Sequence, residues 1–242
     1  MEGYEELLEK LKDIKSRGYI KSHRSGDTGV GKTLEDLLGI KENNIPGPNG
    51  ICIELKAARK GSNTMLTLFT KSPEPRGINT KLLDKCGYEE KEGKILHITL
   101  NANNYTNIKG KPSMKLSFNE QNNRLEIDFH PSIRWNYEKP YWTKDTLQKS
   151  FERKLPKLLY VKADSRENKN GNNKVEEFWY NEAWLLSGFN FRDFIKALQT
   201  GLVLVDIRIG RYNDGRVHDH GTAFRIRQDK LELCFINKIR LL

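Results

Sequence analysis

The sequence predicts an α/β or α+β protein in which strands and helices are interleaved, and three observations carry that expectation. Residues 4–17 and 190–200 repeat apolar side chains at helical spacing. Eight further segments have the β-branched and aromatic character of strands, and helical and strand segments are mixed along the chain. With 242 residues there is enough chain for one large domain or two small ones with an ample core.

In the first helix Tyr4, Leu7, Leu8, Leu11 and Ile14 share a face, and Gly18 stops it. A glycine-rich turn over 26–31 leads into a short helix over 33–38, closed by Gly39. Strands are expected at 51–57, 64–70, 95–100, 124–129, 157–163, 174–180, 202–209 and 222–227. The second strong helix buries Phe191, Phe194, Ile195 and Leu198 and ends at Gly201. Segments 101–112 and 167–173 read as polar loops, too short to be linkers, and there is no internal repeat. The simplest organisation is one compact unit with two lobes.

Forty-two Lys and Arg against 32 Asp and Glu leave a net charge of +10, which points to a polyanionic partner, most commonly nucleic acid. No run of 18 apolar residues exists, so no membrane span is expected. The start, Met1-Glu2-Gly3-Tyr4-Glu5-Glu6, is acidic and lacks the apolar core of a signal peptide. Cys52, Cys86 and Cys234 are odd in number and widely spaced, which reads as reduced thiols in a cytoplasmic protein without a zinc signature.

The most informative segment is Ile51-Cys52-Ile53-Glu54-Leu55-Lys56, just beyond a Pro-Gly-Pro-Asn turn. Alternation along a strand puts Glu54 and Lys56 on one face, about 6–7 Å apart at ~3.3 Å of rise per residue. A carboxylate can hold a divalent cation, and an ammonium beside it can orient a water or neutralise a phosphate oxygen. That is the kernel of metal-dependent phosphodiester cleavage. The same pattern also suits an ordinary solvated strand face.

Gly26-Asp27-Thr28-Gly29-Val30-Gly31-Lys32-Thr33 matches the phosphate-binding pattern G-x-x-x-x-G-K-[ST], and Leu202-Val203-Leu204-Val205-Asp206 supplies an apolar run ending in aspartate. A phosphate loop is aimed by a buried strand, however, and Lys21-Ser22-His23-Arg24-Ser25 cannot be one. A glycine turn feeding a short helix is the competing reading. On that helix Leu34 and Leu38 share a face, Glu35 lies near its edge and Asp36 points away. Glu35 is thus a candidate third acid approaching Glu54, or an ordinary first-turn acid at a helix N-terminus.

Arg208, Arg211, Tyr212, His218, His220, Arg225 and Arg227 fall within twenty residues, among strand formers and a turn at Asn213-Asp214-Gly215. Arginine can fork onto guanine O6 and N7, and histidine or tyrosine can add base contacts, while other cations hold phosphate. A basic hairpin facing water is the alternative. His218-x-His220 has no third metal ligand near it in sequence.

Four blocks in order carry a family resemblance: Gly31 to Leu38, Ile53-Glu54-Leu55-Lys56, Leu66-Thr67-Leu68-Phe69-Thr70-Lys71-Ser72-Pro73 with Pro75-Arg76-Gly77, and Val205 to Tyr212 with His218 to Ile226. Over about residues 4–230 the chain resembles the MvaI/BcnI restriction endonucleases, relatives of the mismatch-repair nickase MutH in the PD-(D/E)xK nuclease superfamily, and within them the MvaI branch. The resemblance implies a mixed sheet flanked by helices and two lobes around a DNA cleft. The catalytic lobe would cover approximately residues 1–100 and the recognition lobe mainly 101–242, with base readers at about 205–227.

The resemblance further implies Mg2+ held by Glu54 and the Leu55 carbonyl, a water-orienting Lys56, and Glu35 acting from behind the metal ligands or through water. Lys71 would contact DNA. Thr70 and Ala223 would stand where the BcnI-like branch carries histidines that read the central base pair. The family has aspartate five residues before the glutamate, where this chain has Asn49. An engineered inactivation, a natural loss of activity and a shifted alignment all stay open, although no other aspartate lies between Lys41 and Glu54 to rescue a shift.

The implied activity is type II cleavage of double-stranded DNA by a monomer that nicks each strand of a CCWGG-like site in turn, with a cognate DNA methyltransferase as functional counterpart. A DNA-binding protein without catalysis, or a nucleotide hydrolase using Gly26 to Thr33, is the second class of function.

Overall fold

The computed structural model describes residues 2–40, 44–46, 52–91, 93–155, 157–170, 173–212 and 214–242. The chain crosses four times between two compact units. The first comprises Met1–Thr64, Lys154–Phe189 and Leu231–Leu242; the second comprises Met65–Arg153 and Asn190–Lys230. A single lobe boundary near residue 100 is therefore not where the chain divides. The strands of each unit pair with partners far away in sequence, which a linear reading does not register.

The first unit opens with α1 (Glu2–Ser16), β1 (Ile20–Lys21), α2 (Gly29–Leu38), β2 (Asn44–Pro46) and β3 (Cys52–Arg59). The chain then enters the second unit as β4 (Met65–Thr70), α3 (Ile78–Cys86), β5 (Tyr88–Glu90), β6 (Gly93–Leu100), β7 (Thr106–Ile108), β8 (Lys111–Asn119), β9 (Arg124–Phe129), β10 (Tyr141–Thr143) and α4 (Lys144–Lys154). It returns through β11 (Lys157–Asn170) and β12 (Asn173–Ser187), crosses back for α5 (Phe191–Gln199), β13 (Val203–Arg211), β14 (Val217–Asp219) and β15 (Ala223–Arg227), and ends with α6 (Gln228–Leu231) and β16 (Asn237–Arg240).

The first unit is built on a mixed sheet of order β1-β12-β11-β3-β2, with β16 added to β12. β3 runs parallel to β11 and antiparallel to β2. Leu7, Leu11 and Ile14 of α1 and Val30, Leu34 and Leu38 of α2 cover one sheet face, packing with Ile53, Leu55, Leu159, Val161, Phe178 and Tyr180. Full burial of a leucine such as Leu11 or Leu34 contributes roughly 1.5–3 kcal/mol. Of the expected loop at 167–173, residues 167–170 and 173 are instead the far end of a long ribbon, paired from Lys157↔Ser187 to Asn170↔Asn173. No apolar face marks that end, so the backbone ladder alone defines it.

In the second unit a four-stranded antiparallel sheet (β10-β9-β8-β7) accompanies a six-stranded one of order β4-β15-β13-β6-β5, in which β14 joins β13. Phe69, Phe194 and Phe224 form an aromatic centre with ring centroids 4.7–6.0 Å apart, joined by Trp142, whose indole N–H donates to the Lys71 carbonyl at 2.9 Å. α5 starts at the Asn190 cap, whose side chain accepts from the Asp193 N–H, and its Phe194, Ala197 and Leu198 are buried. Sequence periodicity missed α3, α4, the nine-residue β8 and the shortest strands, among them β7 within the segment 101–112 expected to be a polar loop. Their apolar residues are few, and their pairing is supplied by neighbours.

Candidate active site and nucleic-acid interface

Alternation along β3 sends Ile53 and Leu55 into the helical core and leaves Glu54 and Lys56 on the opposite face. Glu54 sits between two paired strands, opposite Leu158 of β11 and Asn44 of β2, and its side chain is only 3% exposed. Its carboxylate accepts from the Lys56 ammonium at 2.9 Å through Oε1 and from the Lys154 ammonium at 3.1 Å through Oε2. A buried carboxylate is costly unless paired, and here two partly exposed lysines balance it. Lys154 was not legible in the sequence, because it is a hundred residues away at the end of α4.

As an anionic oxygen in the interior, Glu54 fits one ligand of a hard divalent cation. Among the described residues no cluster of three or more His, Cys, Asp or Glu side chains completes such a site. Asn49 lies outside the described residues. Glu35 is half-buried on α2, which packs on the Leu55 face rather than the Glu54 face. No hydrogen bond or ion pair joins Glu35 to Glu54 among the described residues, and Asp36 is exposed as its helical position predicts.

The P-loop reading of Gly26 to Thr33 does not hold. The strand before it, β1, has two residues and lies at the sheet edge, so nothing buried aims the loop. α2 begins at Gly29 rather than after Lys32. The Lys32 ammonium pairs with Asp36 at 2.8 Å one turn along, and the buried Thr33 hydroxyl accepts the His23 N–H at 2.9 Å. The Gly26 and Asp27 carbonyls accept from the Arg59 guanidinium, which Glu176 also holds. Asp206, the apparent partner of that motif, is engaged elsewhere.

In the second unit, one face of the six-stranded sheet gathers most of the expected base readers. Arg208 of β13 stands opposite His97 of β6, Asp206 stands opposite Thr99 and Ala223, and Ala223 stands opposite Thr70. Thr67, Thr70, His97, Asp206, Arg208, His220, Ala223 and Arg225 line a concavity of about 340 Å3. A neighbouring one of about 730 Å3 is lined by His97, Arg211, Tyr212, His218 and His220 with Glu90, Lys91 and Ile95. His218 lies over Gly210, where any Cβ would collide with its ring. The ring lies tilted against Tyr212 with centroids 4.2 Å apart and meets His220 edge-on at 4.7 Å. Partial burial first, and then the charges of Arg208 and His220, hold the His97 imidazole below its ordinary pKa.

Asp206 anchors this face. It is 4% exposed; Oδ1 accepts from Thr99 Oγ1 at 3.0 Å, and Oδ2 accepts from Arg208 Nε at 2.9 Å and Arg225 Nη1 at 2.6 Å. Asp206-x-Arg208 repeats the acid-x-base spacing of Glu54-x-Lys56, a signal present in the sequence. Thr67, His97 and Thr99 carried none. Arg211 is tied to Asp84, and the exposed Arg227 pairs with Asp229 outside both concavities. Lys71 is half-buried and follows β4, its backbone N–H donating to the Thr222 carbonyl at 2.8 Å. Cys86 is a buried free thiol, and burial pushes it up to about 11. No described helix is long and apolar enough to cross a membrane.

The chain is similar over almost its full length to two solved structures. Restriction endonuclease MvaI in complex with its cognate DNA substrate has a TM-score of 0.80 at 34% identity, covering 98% of this chain and 97% of that one. The same enzyme in the absence of DNA has a TM-score of 0.61 at 31% identity, with the same coverage. No curated protein matches the chain. A mixed sheet with a buried Glu-x-Lys pair, together with a second unit that carries an arginine-rich face, is thereby assigned to the type II site-specific DNA endonucleases. The MvaI/BcnI restriction endonuclease family model matches residues 8–235, and the chain belongs to that family. Its members use divalent metal ions.

Proposed function

We propose that this chain is a Mg2+-dependent endonuclease that hydrolyses double-stranded DNA at CCWGG, where W is A or T. It acts in the cytoplasm as a monomer that nicks one strand and then rebinds to cut the other. The observation that carries the chemical part is the buried Glu54 carboxylate held between the Lys56 and Lys154 ammoniums. The first unit takes the catalytic role and the second reads the bases.

Glu54, the Leu55 carbonyl and position 49 would hold the ion, with Glu35 acting through water. When bound, such an ion polarises the phosphate and lowers the pKa of a coordinated water. Lys56 orients the attacking water and offsets charge growing on the phosphate oxygens. The water oxygen forms a new bond to phosphorus as one phosphodiester P–O bond breaks. Hard cations favour charged oxygens, so Asn49 impairs the site while its near-isosteric shape preserves the fold.

Arg208, Arg211, Arg225 and His220, with Tyr212 and His218 beside them, read the outer G·C pairs from the major groove. Lys71 and Arg227 hold backbone. Thr70 and Ala223, cross-strand partners within the smaller concavity, leave the central pair to A or T. An odd-length site lacks true two-fold symmetry, which suits a monomer; a methyltransferase of the same specificity would protect host DNA.

The test uses a plasmid bearing CCWGG and CCSGG sites, S being C or G, in Mg2+. Asn49→Asp should raise cleavage at CCWGG by several orders of magnitude over the chain as it stands. Equally robust cleavage by both forms would refute the ligand assignment. Preference for CCCGG over CCAGG in competing duplexes at one salt concentration would refute the target.

A further inference from the structure

Asp206 has no assigned role in chemistry or base reading, yet three side chains converge on it. It is buried, lies on the reading face, and spends both oxygens on Thr99, Arg208 and Arg225. The two arginines are held differently. Arg225 gives Nη1 to Asp206 and Nη2 to the Met65 carbonyl at 3.0 Å, and its side chain is 19% exposed. Arg208 gives Asp206 only Nε; its side chain is 52% exposed, and neither Nη1 nor Nη2 has a protein partner among the described residues. A guanidinium fixed through Nε presents its two terminal nitrogens end-on, the fork that fits guanine O6 and N7. One fixed through both terminal nitrogens keeps fewer donors for a ligand.

We propose that Asp206 is a positioning residue for sequence recognition: it fixes the plane of Arg208 as a guanine reader, and Arg225 braces the same carboxylate through Nη1. Thr99 sets the carboxylate's rotation through Oδ1. The proposal rests on the reading that Arg208 contacts a guanine edge. It predicts that discrimination, rather than affinity in general, is lost when the carboxylate is neutralised, because phosphate contacts supply the sequence-independent part of binding.

The experiment measures binding of the full chain without divalent metal, at one salt concentration and then along a salt series. The duplexes are CCAGG, the same duplex with an outer G·C replaced by A·T, and CCAGG with 7-deazaguanine, which lacks N7, at each guanine in turn. Asp206→Asn should lower the cognate-to-altered affinity ratio about tenfold or more and abolish the penalty for 7-deazaguanine at one guanine. The salt slope should stay unchanged. Arg208→Ala should do the same, and the double variant should add little, as residues acting as one unit do.

The proposal is overturned if Arg208→Ala loses discrimination while Asp206→Asn keeps it, or if Asp206→Asn weakens all duplexes equally. If Arg208→Ala itself keeps full discrimination, the underlying assignment of Arg208 as a reader is what fails. Should Asp206→Asn not fold, Thr99→Val decides, with a few-fold loss of discrimination expected and an unchanged ratio counting against the proposal.

Discussion

Replacing Glu54 by Gln in the Asn49→Asp protein separates a chemical role from a structural one. The amide keeps the shape of the side chain but removes the charge that Lys56 and Lys154 share at 2.9 and 3.1 Å. Hydrogen bonds to charged groups contribute roughly 1.5–3 kcal/mol each, which sets an upper limit on the loss. Two effects reduce it. Lys56 and Lys154 keep 19% and 28% of their side-chain exposure and can turn to water. The carboxylate, at 3% exposure, carries a desolvation cost that the amide does not. The net destabilisation should be about 1–2 kcal/mol, or about 2–8 °C in Tm for a chain of this length.

Losing an anionic metal ligand should cost far more in the reaction: about 4 kcal/mol or more of transition-state stabilisation, a thousandfold or greater loss of rate at about 1.4 kcal/mol per factor of ten. Thermal unfolding and single-turnover cleavage of a CCWGG duplex in Mg2+ measure the two quantities on one sample. Cleavage within tenfold of the parent would remove Glu54 from the chemistry. A Tm drop beyond about 15 °C would make the carboxylate primarily a counter-ion of the fold and would refute this division between chemistry and stability.

Three other outcomes are expected. Because Lys32 is paired with Asp36 and Thr33 is buried against His23, ATP and GTP should not bind, and Lys32→Ala should leave Mg2+-dependent cleavage independent of nucleotide; micromolar nucleotide binding lost in that variant would contradict it. Burial opposes ionisation of Glu182, but hydrogen bonds from Trp184, Lys162 and Lys60 outweigh it and hold the carboxyl at about 2 against an ordinary 4.5. Its ionised form therefore stabilises the fold above about pH 4.5, and that contribution is lost as pH falls from about 4.5 toward 2. Glu182→Gln should flatten the acid limb of denaturant-melt stability in that window, and an unchanged limb would rule this out. The buried Cys86 thiol, pushed up to about 11, should resist thiol reagents at pH 8 in the native state and react once the chain is unfolded, as labelling followed by peptide mapping would report.

Local physics made several parts of this protein legible in one dimension. Strand alternation places Glu54 and Lys56 together whatever β3 pairs with, and helical spacing buries Leu34 while exposing Asp36, as the structure has them. The ordered blocks around Gly31, Glu54, Thr70 and Arg208 carried the family. Whatever depended on pairing across long separations was decided by the tertiary structure. The glycine loop matched a phosphate-binding pattern letter for letter; the polar residues before it already spoke against a buried strand, and the two-residue edge strand there, with Arg59 on the loop carbonyls, excludes that reading. Helical spacing set Glu35 at the edge of the Leu34–Leu38 face; that this face packs against Ile53 and Leu55 was decided by the tertiary structure. Lys154 and the three donors to Asp206 come from 100, 107, 2 and 19 residues away. Sequence spacing determines which side chains share a face of one element, whereas strand order and register determine which elements share a site.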